Sequence, residues 1–150
     1  MPQARMRHEF TLRAEPRAVA EHLAEPRNYI GLSPLVIEVR DIGRAGAAIR
    51  YTAVERFALP LGGHLDNAID VTLALDDTDP TSLLVGGDVV SPGRVRLSYR
   101  YEIAPDAAGS RVIDSLQLRA PFGLLRFAAS RARAVQLERA CVLATRLETT

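Results

Sequence analysis

The sequence predicts an α+β fold: a curved antiparallel sheet of seven strands, two short helices after the first strand, and a long C-terminal helix lying across the sheet. Three observations predict it. Residues 5–13 and most of 35–119 alternate apolar and polar side chains with the period of half-buried strands. The links among the last six strands are short, which makes neighbours antiparallel. Residues 121–148 form the one stretch where a helical pattern runs for many turns without a breaker. At 150 residues, 47% hydrophobic and 25% charged, the chain reads as a single domain spanning 1–150 with one core.

In the first strand Met6, His8, Phe10 and Leu12 face inward. Two segments then open with Ala-Glu-Pro-Arg, at 14–17 and 24–27. Proline suits a first helical position, and Pro26 would break one continuous helix, so two short helices are expected. The first buries Val19 and Leu23; the second holds Tyr29 and Ile30 and stops at Gly31 and Pro34. Residues 35–41 point Leu35, Ile37 and Val39 inward, and 43–46 is a turn. Residues 48–57 place Ile49, Tyr51, Ala53, Glu55 and Phe57 on one side; 64–75 do the same with Leu65, Asn67, Ile69, Val71, Leu73 and Leu75. The strand 82–90 contains Gly86-Gly87, which suggests a bulge or a sharp bend. Ser91-Pro92-Gly93-Arg94 suits a type II turn. Val95, Leu97, Tyr99, Tyr101 and Ile103 alternate next, then Val112, Asp114, Leu116 and Leu118.

In the terminal helix Leu125, Ala129, Ala132, Gln136, Ala140, Leu143 and Leu147 follow at steps of three or four, so they share one face. Leu124, Ala128, Val135 and Val142 widen that face, with Arg131, Glu138 and Arg139 on its borders. Cys141 lies among apolar neighbours and is expected to be a reduced structural thiol.

Composition narrows the chemistry. Every basic residue except the histidines is arginine, which excludes a Schiff-base or phosphate-loop lysine. His8, His22 and His64 stand in no metal-ligand spacing, so no metal is expected. No nucleophile elbow, dinucleotide fingerprint or zinc-protease motif occurs. A net charge of +1 gives no argument for nucleic acid, and Arg94, Arg96, Arg100, Arg111 and Arg119 read as a solvated outer face. The start carries no apolar run of signal-peptide type and no stretch approaches the ~18 apolar residues of a membrane span, so a cytoplasmic protein is expected.

The element order resembles the helix-grip fold of the START-like superfamily (SRPBCC), which includes pathogenesis-related proteins, polyketide cyclases and aromatases, and coenzyme-Q-binding and lipid-transfer domains. The resemblance is carried by the first strand running into Glu15-Pro16-Arg17-Ala18-Val19, by Glu25-Pro26-Arg27-Asn28-Tyr29, and by the strand 110–118 leading into the long helix. The chain departs from many bacterial relatives in having Gly31-Leu32-Ser33-Pro34 and no tryptophan after the second short helix.

The resemblance implies a cavity between sheet and helix for a bulky hydrophobic small molecule, with no cofactor. Its expected lining is Tyr51, Glu55, Asn67, Leu97, Leu116, Ala129, Ala132 and Gln136. It also places Asp114 between His8 and the tyrosines Tyr99 and Tyr101, an arrangement that would suit the acid-base chemistry of a cyclase or dehydratase. The same residues have a structural reading: Glu55 and Asp114 paired with Arg131 or Arg139, and Gln136 capping that network. Three functions therefore remain open: a hydrophobic-ligand carrier, a polyketide cyclase or aromatase type enzyme, and an interaction module or homodimer using an apolar patch on the sheet or the loop 60–63.

Overall fold

The computed structural model describes residues 2–148. Seven strands form one antiparallel sheet: β1 (Gln3–Leu12), β2 (Val36–Ala45), β3 (Ala48–Ala58), β4 (His64–Asp76), β5 (Leu83–Ser91), β6 (Val95–Asp106) and β7 (Gly109–Arg119). Their spatial order is β1-β7-β6-β5-β4-β3-β2, so the chain meanders from β2 to β7 and β1 closes on the last strand. Helix α1 (Pro16–Leu23) and a single 3-10 turn (Pro26–Tyr29) follow β1, and helix α2 (Leu125–Leu147) ends the described chain. At about 1.5 Å per residue α2 is roughly 35 Å long. This is the α+β, helix-grip arrangement expected from the sequence.

Several local expectations are corrected. The second short helix is a 3-10 turn, because Pro26 and the segment around Gly31 leave room for only one. Strand β2 does not turn at 43–46 but runs on to Ala45, pairing Ala45 with Ala48. Register shifts between Val36 and Glu38 and between Arg40 and Gly43 explain the misreading: each inserts unpaired backbone and flips the alternation. Val36 is consequently the buried residue, while Ile37 is 40% exposed. Leu65, paired with Phe57 near the tip of the β3–β4 hairpin, is also exposed. On α2, Cys141 is exposed, on the side opposite Ala140 and Leu143. Arg139, read as a border residue, is buried.

Gly93 has φ 81° and ψ 17°, the geometry that the third position of a type II turn demands. Gly86 and Gly87 cause no register shift against β6. They mark a close approach instead: a Cβ on Gly87 would lie 1.9 Å from the carbonyl oxygen of Thr72. The Tyr99 hydroxyl, from β6, donates to that same Thr72 oxygen on β4 at 2.9 Å. Gly87 is the residue of β5 paired with Tyr99, so the tyrosine passes over a strand position that has no side chain to block it. The Asp88 amide meanwhile donates to Thr72 Oγ1 at 2.9 Å in place of an ordinary ladder bond.

The far end of the sheet is closed by α1, which buries Val19, Ala20 and Leu23 against β5, β6 and β7. Arg146, near the end of α2, holds the 3-10 segment in place. Its Nη1 donates to Asn28 O at 2.6 Å and its Nη2 to Ile30 O at 2.9 Å. That contact sets Tyr29 inside the molecule, where its hydroxyl donates to Leu23 O at 2.7 Å.

Replacing Gly87 by Ala should destabilise the protein by at least the ~1–3 kcal/mol typical of overpacking, since the atoms it meets are backbone. Urea unfolding of Gly87→Ala beside wild type measures this. An unchanged midpoint would contradict the close approach.

Candidate functional site

The floor of the site is built by alternation. Tyr51, Ala53, Glu55 and Phe57 from β3 face the same way as Asn67, Ile69 and Val71 from β4, Val89 from β5, Leu97 and Tyr99 from β6, and Leu116 and Leu118 from β7. The roof is Leu124 and the first two-thirds of α2, from which Phe127, Ala128, Arg131, Ala132, Val135 and Arg139 line the space. Helix α2 touches the sheet chiefly along β1 and β7. Over the other strands it stands off, and a cavity of about 320 Å3 opens between them.

The cavity runs from an open mouth to a closed inner end. At the mouth, the Arg131 guanidinium stacks on two rings, 4.9 Å from the centroid of Phe57 and 5.5 Å from that of Phe127. This links β3 to α2 across the opening. The rim beside them is apolar and solvent-exposed, with the lining residues Phe127 at 62% and Leu124 at 43% exposure. Inside the mouth, Glu55 and Asn67 are cross-strand partners, and Asn67 Nδ2 donates to Ser91 Oγ at 3.2 Å. Burial raises the Glu55 pKa above the ordinary value of 4.5, against the opposing pull of Asn67 and Arg131.

At the inner end stand Tyr29, Tyr51, Tyr99 and Arg139. Burial raises the pKa of each of these tyrosines and of Tyr101 behind them. Their hydroxyls are therefore neutral hydrogen-bonding groups and not bases. Tyr29 and Tyr99 spend their protons on Leu23 O and Thr72 O.

Arg139 is held by an ion pair. Its Nε and Nη2 donate to Asp114 Oδ2 at 3.3 and 2.9 Å, with the two side chains 8% and 1% exposed. The guanidinium also lies 5.1 Å from the ring centroid of Tyr101, the cross-strand neighbour of Asp114. Burial pulls the Arg139 pKa down while the Asp114 carboxylate beside it pulls it up, and it stays raised. Gln136 completes the joint: its Nε2 donates to Asp114 O at 2.8 Å, and its Oε1 accepts from Arg133 Nη1 at 2.7 Å. Asp114 Oδ1 and the Tyr101 hydroxyl are buried without a hydrogen-bond partner.

The expected site residues are thus divided. Tyr51, Glu55, Asn67, Leu97, Tyr99, Leu116 and Ala132 line the cavity together. Asp114, Tyr101 and Gln136 lie behind its wall in the ion-pair network, and Ala129 is outside the lining, its neighbour Ala128 being turned inward instead. His8 pairs with Asp114 in the strand register but forms no hydrogen bond with it; its ring stacks on Phe10 at 5.4 Å under α2. Arg131 and Arg139, which the helix pattern marked as interruptions, both contribute to the site. Among the described residues, no group of three or more His, Cys, Asp or Glu comes together as a metal site, and no helix is long and apolar enough to cross a membrane.

No family model matches the chain, and no curated protein sequence matches it. Solved structures do. A Thermus thermophilus protein superposes with TM-score 0.70 at 17% identity, covering 97% of this chain and 96% of its own. The Zhui aromatase/cyclase of a Streptomyces species gives TM-score 0.69 at 16% identity over 96% and 90%. A START superfamily protein from Mycobacterium smegmatis gives 0.63 at 10% identity over 97% and 96%. The chain has the START-like helix-grip fold that these structures share; at such identities the likeness concerns the fold.

Two measurements follow. Arg139→Ala strands the Asp114 carboxylate in the core and should cost about 3–5 kcal/mol in denaturant unfolding, whereas the double change Asp114→Leu with Arg139→Met should recover most of it. Equal losses in both would mean the pair is not the joint. For Glu55, the folded state holds the proton more tightly than the unfolded state. Its contribution to stability is complete below the ordinary value of 4.5 and is lost as pH rises through the higher folded value. Glu55→Gln should therefore melt above wild type at neutral pH, with the gap closing near about pH 4. A gap that widens in acid would refute the burial of this carboxyl.

Proposed function

We propose that the protein binds a bulky hydrophobic small molecule between the sheet and α2. The observation that carries this reading is the cavity itself: about 320 Å3, walled mainly by Tyr, Phe, Leu, Val, Ile and Ala, with a few polar groups at fixed depths. Known ligand pockets span roughly 300–1,000 Å3 and share that character. An ordinary core is packed at crystal density, so a void of this size is costly unless something fills it. The apolar rim at the mouth gives such a ligand a path that does not begin in bulk water. Ligands of polyketide, isoprenoid or lipid type fit these walls, and the cytoplasm is the compartment we assign.

A second reading, catalysis of the aromatase/cyclase kind, is favoured by one observation: Glu55 is a carboxyl with a raised pKa, facing the cavity beside Asn67. On this reading Glu55 is better placed to exchange a proton with a ligand than Asp114, whose Oδ2 already accepts from Arg139.

Native mass spectrometry of protein purified from its own host should show a co-purifying apolar molecule. Ala132→Phe, which puts a ring into the cavity, should remove that adduct while leaving the circular dichroism spectrum unchanged. An adduct that survives Ala132→Phe would place binding elsewhere. Turnover by wild type that persists in Glu55→Gln would remove the catalytic reading.

A further inference from the structure

The sheet has a second hollow, a shallow one on the face turned away from α2. Arg5 and Arg7 of β1, Ser115 and Gln117 of β7, and Ser98 and Arg100 of β6 line it. Tyr99 and Leu116 border both this hollow and the cavity, so the two lie back to back with one layer of sheet between them. The strand register sets the outer side chains in three rows: Gln3, Arg119 and Arg96; Arg5, Gln117 and Ser98; Arg7, Ser115 and Arg100. Five arginines thus surround short or neutral side chains, and these rows hold no carboxylate. The acids of this face stand at its border and are engaged there. Glu9 is 3.3 Å from Arg7, Asp88 accepts from Ser98 Oγ at 2.7 Å, and Glu102 accepts from Ser82 Oγ at 3.3 Å. Among the described residues, Arg5, Arg96, Arg100 and Arg119 form no ion pair, and all four are exposed. Arg96 and Arg119 are direct cross-strand partners. Like charges placed opposite one another destabilise a sheet, and a bound anion reverses that effect.

We propose that this hollow on the outer face of β1, β7 and β6 binds the diphosphate or triphosphate group of a small molecule. The site is independent of the cavity and of what the cavity holds. Guanidinium forks match the paired oxygens of a phosphate. Neighbouring strands are about 4.8 Å apart, so Arg7 and Arg100 stand roughly 10 Å apart across Ser115, a gap that two arginine side chains can close over one group. Charge then decides the kind of anion. A single carboxylate matches one guanidinium, whereas an oligophosphate brings several negative charges in one compact group. The three rows contain no aromatic and no apolar side chain. They therefore give a nucleic-acid base no ring to stack on and a protein partner no apolar anchor.

Calorimetric titration at low ionic strength compares wild type with Arg5→Gln, Arg100→Gln and Arg40→Gln. Arg40 is an exposed arginine on β2, at the opposite edge of the sheet. The probes are orthophosphate, pyrophosphate, triphosphate, adenosine diphosphate and a hexaglutamate peptide. Pyrophosphate should bind wild type at least about tenfold more tightly than orthophosphate, and Arg5→Gln and Arg100→Gln should each weaken it roughly fivefold, with Arg40→Gln unchanged. The backbone amide resonances of Ser98, Ser115 and Gln117 should move as pyrophosphate is added. Melting temperatures should stay at the wild-type value, since Arg5 and Arg100 form no ion pair in the fold. Adenosine diphosphate should bind as well as pyrophosphate; if it does not bind, the group is not one carried by a larger molecule and the assignment fails. Equal weakening in Arg40→Gln, or no binding of pyrophosphate and triphosphate by wild type, overturns the site. Tighter binding of hexaglutamate than of pyrophosphate overturns the choice of phosphate in favour of an acidic protein segment.

Discussion

The buried ion pair between Asp114 and Arg139 is the constraint on which the rest of the molecule depends. Neither charge belongs in a core alone; each is tolerated because the other stands 2.9 Å away, with Tyr101 beneath the guanidinium and Gln136 tying the Asp114 backbone to the helix. An apolar contact could slide by a turn of helix at little cost. This joint cannot, since any other register leaves a carboxylate or a guanidinium unpaired. It therefore fixes α2 over β7 and β1 at one height and one rotation. The first half of the helix is thereby held away from β3 to β6, and the cavity is the space that results.

That space is graded in chemistry along its length. The mouth carries the rings of Phe57 and Phe127 around Arg131, the middle carries the Glu55 and Asn67 pair, and the inner end carries tyrosines and the Arg139 guanidinium. Aromatic groups at both ends and small aliphatic groups between them give a ligand stiff boundaries and an unobstructed middle. Ala128 and Ala132 matter here less for what they contact than for what they leave open.

Much of the fold was legible because strands with one buried face write their period into the sequence, as β3, β4, β6 and β7 do. The same alternation placed Tyr51, Glu55, Asn67, Tyr99 and Leu116 on the cavity wall. It failed where backbone irregularities reset the count, as at Val36 and Ile37, because a bulge leaves no residue-type signature there. It also failed for Arg139. A helix pattern scores a charge at the margin of an apolar face as an interruption, and only the register of α2 against β7 shows that the guanidinium reaches Asp114. Asp114 itself was visible as a polar residue on a buried face. That its carboxylate turns to the helix, leaving His8 against Phe10, depends on side-chain directions that spacing does not encode.

Gly86 and Gly87 bear on how such a protein can change. The path of Tyr99 across β5 to Thr72 exists only while Gly87 has no side chain, and the backbone at Gly86 is equally crowded, 2.5 Å from Tyr99 O for an added Cβ. Descendants of this sequence can exchange lining residues such as Val89, Leu97 or Ala132 one at a time and so drift in ligand preference. They cannot drift at the two glycines without redrawing the sheet. Along β5 a position that tolerates no side chain, Gly87, thus stands two residues from one that faces the cavity, Val89.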